Sequence, residues 1–245
     1  MKTKSALSLL SALAMSLGTS HATITWIGGS SADFWDDANW SFAASTYTGD
    51  TFNPLTYISD NIFMANATGV SVAADNGIRI GNGYGLTLDG SDLLVNGTAA
   101  SSGVNGVDDD PAANPSVGQY SFVYLKNGSY LNTQFTAIGM FIDVDGTSHV
   151  QYRGTGDPIN GQSERTVVDL AVGGRLTLAT MGEFTEQATT QNSYLLIEGN
   201  SWADDSSLLT FGGSGPFTAT AVVPEPSIVL LGGLGLAGLL LRRRA

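Results

Sequence analysis

Between Thr23 and Val223 no stretch sustains the 3.6-residue apolar period of an amphipathic helix, and this constrains the fold more than any other feature. Short runs of strand-forming residues take its place: Gly77–Ile80, Leu86–Leu88, Leu93–Val95, Tyr120–Leu125, Val167–Val172, Leu176–Ala179 and Tyr194–Ile197. Several alternate, with Tyr120, Phe122 and Tyr124 on one side of their run. Most are bounded by Gly, Asn, Asp or Ser, residues that turn the chain. The expected class is all-β.

A loose unit recurs within these runs: an apolar residue, a polar residue with Gly, a small or polar pair, and a second apolar residue. It reads Leu88-Asp89-Gly90-Ser91-Asp92-Leu93, Leu125-Lys126-Asn127-Gly128-Ser129-Tyr130-Leu131 and Val144-Asp145-Gly146-Thr147-Ser148-His149-Val150. A weaker copy is Ile197-Glu198-Gly199-Asn200-Ser201-Trp202. The glycines stand 38, 18 and 53 residues apart, near two, one and three multiples of 18. One turn per such unit suits a stacked parallel β-helix, in which each coil buries its face against its neighbours. The same Asp-Gly and Asn-Gly pairs between apolar runs are hairpin signals, which would give an antiparallel β-sandwich. The spacing favours the solenoid and leaves the sandwich as the alternative.

The two ends read as addresses. Lys2 and Lys4 precede the apolar stretch Ala6–Leu17, and Ser20-His21-Ala22 supplies small residues for cleavage after Ala22, so residues 1–22 read as a signal peptide. At the other end, Val223-Pro224-Glu225-Pro226-Ser227 leads into the uncharged run Ile228–Leu241 and then Arg242, Arg243 and Arg244. As a helix, residues 228–241 would span about 21 Å, short of the hydrocarbon core of about 30 Å. The arginines would hold that end on the cytoplasmic side. This three-part tail, residues 223–245, resembles the PEP-CTERM signal of bacterial envelope proteins. The resemblance implies recognition of Pro224, Glu225 and Pro226 by an exosortase-type membrane protease. It also implies transient anchoring in the inner membrane before passage to the cell surface or a biofilm matrix.

Residues 23–222 then form one exported β-rich domain. Without Lys2, Lys4 and Arg242–Arg244, 5 basic residues face 21 acidic ones over 23–223, a formal charge of −16. Such a surface repels nucleic acid and anionic membranes. Exopolysaccharide stays open as a partner. The absence of cysteine means that an exported chain must hold together without disulfides.

Trp26-Ile27-Gly28-Gly29 followed by Phe34-Trp35-Asp36-Asp37-Ala38-Asn39-Trp40-Ser41 resembles the opening motif of autotransporter-like, PEP-CTERM-tagged envelope proteins. In such proteins this segment caps a right-handed parallel β-helix. On that likeness Asp60–Phe63 and Val70–Val72 are first coils, while Ala99–Pro115 and Gly154–Ser163 read as polar loops leaving the stack.

Chemistry in the domain is sparse. No cysteine is present and His21 departs with the signal peptide, so His149 is the remaining imidazole and reads as a ladder residue. No catalytic set is assembled, and the expectation is a protein that is not an enzyme. The nearest approach to one is Asp143 with Asp145, two apart on one strand face, near Arg153 and Asp157 in sequence. That arrangement would serve a polysaccharide lyase or hydrolase. Asp108–Asp110 and the Asp143/Asp145 pair offer hard oxygens for Ca²⁺, but neither follows an established calcium-loop pattern, so no cofactor or metal is assigned. Trp26, Trp35 and Trp40 are either glycan contacts or the cover of an open stack end.

Overall fold

The computed structural model describes residues 23–29, 31–44, 58–72, 77–96, 103–106, 120–137, 139–154, 159–160, 166–184, 194–202 and 205–223. The expected signal peptide with Ala22, the expected sorting residues Pro224, Glu225 and Pro226, the segment 228–241 and Arg242–Arg244 lie outside the described residues. So do Asp108–Asp110 and Asp157.

Strands β1 (Thr23–Trp26) and β2 (Trp40–Ala44) open the domain. Four three-strand units follow. The first is β3 (Asn61–Ala65), β4 (Val70–Val72) and β5 (Ile78–Arg79), and the second β6 (Gly85–Asp89), β7 (Asp92–Val95) and β8 (Val104–Asn105). The third is β9 (Ser121–Lys126), β10 (Tyr130–Thr133) and β11 (Thr136–Ala137), and the fourth β12 (Met140–Val144), β13 (His149–Tyr152) and β14 (Ile159–Asn160). Then come β15 (Val167–Leu170), β16 (Arg175–Leu178), β17 (Tyr194–Ile197), β18 (Asn200–Ser201), β19 (Leu209–Gly212) and β20 (Phe217–Ala221).

The chain visits three sheets in rotation. The first has the order β18-β17-β15-β12-β9-β6-β3-β1-β2, the second β19-β20-β16-β13-β10-β7-β4, and the third β14-β11-β8-β5. Pairing is parallel from β1 through β17 in the first sheet and from β4 through β16 in the second. The domain is all-β, with antiparallel pairing confined to the ends of the sheets.

Side-chain alternation lines up inward residues, nearly all aliphatic, at each level of the core. Ile24, Ile62, Leu86, Val123, Ile142, Val168 and Leu195 stand in register across the first sheet, all buried. Val70, Leu93, Leu131, Val150, Leu176 and Ala219 do the same in the second. The third sheet contributes Ile78, Val104, Thr136 and Ile159. Burying each large aliphatic contributes about 1.5–3 kcal/mol, and like stacked on like keeps every level filled.

The corner between the first two sheets carries a ladder of buried serines. Ser91 Oγ accepts the Ala67 N–H (3.0 Å), Ser129 Oγ accepts the Ser91 N–H (3.1 Å) and Ser148 Oγ accepts the Ser129 N–H (3.0 Å). Each serine meets the backbone donor of the unit before it, so the corner is satisfied without water.

The repeat differs from the multiples of 18 expected from sequence. Strand β6 pairs directly with β9, so the 38-residue glycine interval is one unit. The interval from Gly146 to Gly199 is two units, through β15. In-register partners are 24, 37, 19, 26 and 27 residues apart along the first sheet. Parallel pairing fixes the register at the strands and leaves the connections free to vary in length. Each of the two expected polar loops contains a two-residue strand, β8 and β14, whose inward Val104 and Ile159 are too brief a signal to form a pattern.

Three of the glycine turns join strands of different sheets. The fourth is a hairpin: Glu198 (φ 50°) and Gly199 (φ 75°) link β17 to β18, with Ile197 opposite Asn200. Asn127 (φ 55°) and Gly128 (φ 79°) adopt the same left-handed pair. There the next residue is Ser129, buried with its Oγ on the Lys126 carbonyl (2.6 Å), and the chain rounds a corner instead of returning.

Candidate functional site

The N-terminal tryptophan motif builds a cover. Asn39 is fully buried; its Oδ1 accepts the Gly29 N–H (2.7 Å), and its Nδ2 donates to the Asp33 carbonyl (2.7 Å) and Ser31 Oγ (3.2 Å). Gly29 is required there, because a Cβ would lie 2.3 Å from Asn39 Oδ1. The Trp40 indole donates to the Phe34 carbonyl (2.6 Å), and its ring meets Trp26 and Phe34 edge-on, each at 5.0 Å. Asp36 accepts from Ser31 Oγ and from the Ala38 N–H, and the first of these bonds leads in holding its carboxyl below the usual range.

Of the three tryptophans proposed to touch sugar, Trp40 is 4% exposed and has no open ring face. It is a core residue, while Trp26 and Trp35 are partly buried against the same core. Phe34 donates its N–H to the Ser71 carbonyl (2.9 Å), and Ser71 donates to the Ala32 carbonyl (2.8 Å), a parallel bridge that sets this segment beside β4.

The pairing of Asp143 with Asp145 expected from sequence is replaced by a pairing across strands. Asp145 lies just past β12, in the turn. It accepts the Asn127 N–H (2.6 Å), the Thr147 N–H (2.9 Å) and the Thr147 hydroxyl (2.8 Å). Burial acts to raise its pKa, but the donors of Ser148, Thr147 and Asn127 outweigh that and hold it low. Its carboxylate is committed to the turn. Arg153 follows β13 in the second sheet and reaches the Val95 carbonyl (2.5 Å) and Asn96 Oδ1 (3.3 Å), away from the outer face of the first.

What stands beside Asp143 is Asp169, directly opposite it on β15, with Tyr124 opposite on β9. Parallel strands lie about 4.8 Å apart, so the carboxylates share one patch. Burial, then the charge of Asp169, push Asp143 up; Lys126 opposes. Burial first, then Glu198, push Asp169 up, against the Gly199 N–H that its Oδ1 accepts (3.1 Å). Tyr124 is raised by burial and by Asp143. Next to this row runs an aromatic one: Phe122 stacks on Tyr124 at 5.8 Å and tilts against Phe141 at 6.2 Å. Carboxylates can accept hydroxyl protons, and the half-buried rings beside them can lie against a sugar face. Sequence reading missed Asp169; Phe141-Ile142-Asp143-Val144 set against Val167-Val168-Asp169-Leu170 was the available signal.

His149 is a ladder residue. Its Nε2 bonds Thr177 Oγ1 (2.8 Å), its ring leans on Tyr130 (5.1 Å), and burial and Arg175 lower its pKa to about 4. Among the described residues no group of three or more His, Cys, Asp or Glu could hold a metal ion, and no helix is long and apolar enough to cross a membrane.

The far end of the stack closes with reversed strands. β20 runs antiparallel to β16, β19 antiparallel to β20, and β18 antiparallel to β17. A helical turn at 181–184 lies alongside, where Glu183 Oε2 accepts the Thr180 N–H (3.1 Å) and Thr180 Oγ1 accepts the Glu183 N–H (3.3 Å), a capping box. Strand β20 ends at Ala221.

One residue later a match to known proteins begins. Residues 222–244 match the PEP-CTERM protein-sorting motif. No curated protein and no solved structure matches the chain. The motif supports an exported, cell-envelope-directed protein recognised by an exosortase-type system.

Proposed function

We propose that this chain is a non-enzymatic structural protein of the cell surface or biofilm matrix. Its exported domain is read as a right-handed parallel β-helix, the coils being the three-strand units. The signal peptide is removed after Ala22, and the tail holds the domain in the inner membrane until an exosortase-type protease acts at Pro224-Glu225-Pro226. Arg242–Arg244 orient that tail. The observation carrying this reading is the sorting motif at 222–244, which starts where the last strand stops. Support for a non-catalytic role comes from Asp145, whose carboxylate the turn consumes, and from Arg153, which turns to the second sheet. Replacing Pro224, Glu225 and Pro226 with alanine should leave full-length protein in the inner-membrane fraction; release at the wild-type level refutes the reading.

A second reading is favoured by the aromatic row. Phe122, Tyr124 and Phe141 beside Asp143 and Asp169 suit a carbohydrate-binding face better than Trp26, Trp35 and Trp40 do. Glycan-array binding that Tyr124→Ala abolishes would support it. Binding lost on Trp35→Ala but kept in Tyr124→Ala would move the contact to the N-terminal cover. Sugar release abolished by Asp169→Asn would make the face catalytic instead.

A further inference from the structure

Four of the five large apolar side chains left exposed among the described residues gather at the end of the stack from which the tail departs. They are Val172 (40% exposed), Met181 (37%), Phe211 (37%) and Val223 (66%); the fifth, Ile27, belongs to the opposite, N-terminal cover. Phe211 on β19 stands edge-on to Phe184 (5.2 Å), in the helical turn that carries Met181, and to Trp202 (5.9 Å). Gly173, next to Val172, donates to the Ala221 carbonyl (2.8 Å), and Val222 donates to the Leu208 carbonyl (2.9 Å). These residues therefore share one end wall with the root of the tail. Single exposed apolar residues are ordinary, but a group of them at one place marks a surface that something covers.

The length of chain beyond the wall limits what that can be. Strand β20 ends at Ala221, and the apolar run begins at Ile228. Seven extended residues reach about 25 Å at most, and a headgroup layer takes up about 5–8 Å of that. The tether keeps the wall close to the bilayer and raises its effective concentration there to about the millimolar range. A modest apolar contact then suffices.

Resting on the sorting reading above, we propose that this wall lies against the bilayer surface while the tail is inserted. The stack then stands on its C-terminal end, with the tryptophan cover pointing away. Among the described residues, Glu198, whose Oε1 accepts the Val172 N–H (3.2 Å), and Asp205 are exposed acids of this end, and Arg175, opposite Thr220 of β20, is an exposed base. This mixed charge gives no net attraction to anionic lipid, so the contact is apolar and made with zwitterionic headgroups.

The chain has no cysteine, which makes single labels clean. Nitroxides at Met181→Cys, Phe211→Cys and Ile27→Cys, in the full chain reconstituted into phosphatidylcholine nanodiscs, test the orientation. Flotation with lipid first reports whether the tail inserts. The expected result is that collisions with a water-soluble nickel chelate fall several-fold at positions 181 and 211 and stay high at position 27. Met181 lies at the periphery, so its label reports even if the Phe211 substitution loosens the Phe184 and Trp202 packing. A chain that floats with all three labels equally open overturns this inference and leaves the sorting reading intact. A chain that does not float overturns both. Shielding that requires added exosortase-type protease assigns the wall to a protein partner and overturns the lipid contact.

Discussion

Ser129 offers the sharpest test of how the stack is held in register. Its Oγ accepts the Ser91 N–H at 3.1 Å and donates to the Lys126 carbonyl at 2.6 Å, and both serines are buried. Ser129→Ala removes the hydroxyl and leaves the Ser91 N–H without that acceptor in a place water does not reach. The Lys126 carbonyl keeps the Ser129 N–H at 3.2 Å, so the cost falls mainly on the donor. An orphaned buried donor costs about 1–3 kcal/mol. The expected loss is about 2 kcal/mol, roughly a 30-fold drop in the folding equilibrium, with a fall in Tm of about 4–8 °C for a domain of this size. Equilibrium urea unfolding followed by tryptophan fluorescence measures it, with exposed Ser214→Ala as a control expected within about 0.5 kcal/mol. Ser148→Ala should cost less, because the Ser129 N–H that loses Ser148 Oγ keeps the Lys126 carbonyl at 3.2 Å. A Ser129→Ala protein as stable as the control would refute the serine ladder as an energetic element.

Three further outcomes are expected. Gly29→Ala should destabilise by about 1–3 kcal/mol through overpacking, since its Cβ would fall 2.3 Å from Asn39 Oδ1; Gly128→Ala, with nothing within 4 Å, should cost only the strain of its positive φ, and equal melting temperatures for the two variants would contradict the close approach. His149 has a folded pKa of about 4, below its ordinary value, so the unfolded chain binds more protons between about 4 and 6.5. Stability should therefore fall as pH drops through that window, and an NMR titration midpoint near 6.5 for His149 would refute its burial. Asp143 and Asp169 have raised pKa values, so their folded carboxyls keep protons longer than the unfolded ones and their contribution is lost as pH rises. Asp169→Asn should lower the Asp143 midpoint seen by carboxyl carbon NMR; an unchanged midpoint would separate the two groups.

The strand runs were legible because alternation survives in short segments: Tyr120–Leu125 contains most of β9, and Tyr194–Ile197 is β17. Which side of β9 faces inward was not legible. Phe122 and Tyr124 turn out, and the smaller Val123 and Leu125 fill the narrow interior. Hydrophobicity alone would have placed the aromatics inside. Asn127-Gly128 and Glu198-Gly199 share positive φ values but send the chain along different paths; buried Ser129 follows the first and exposed Asn200 the second. Asp169 was missed for a related reason. Its proximity to Asp143 comes from pairing between strands 26 residues apart, which sequence separation hides. Arg153 shows the converse, since ten residues from Asp143 it already follows a strand of another sheet and bonds the Val95 carbonyl there.

The first sheet ends in a reversed strand on each side, β2 and β18, and the second in reversed strands on one side. A second copy laid end to end in the same sense would meet β2, β18 or β19 running the wrong way, so the pattern cannot simply be copied outward as in a fibre. Lengthening the first sheet without disturbing its reversed edge strands means inserting a further parallel strand between them. The distance from the tryptophan cover to the tail would then be set by how many such strands the sheet keeps, as a mast is raised by inserting sections while its foot and its cap stay the same.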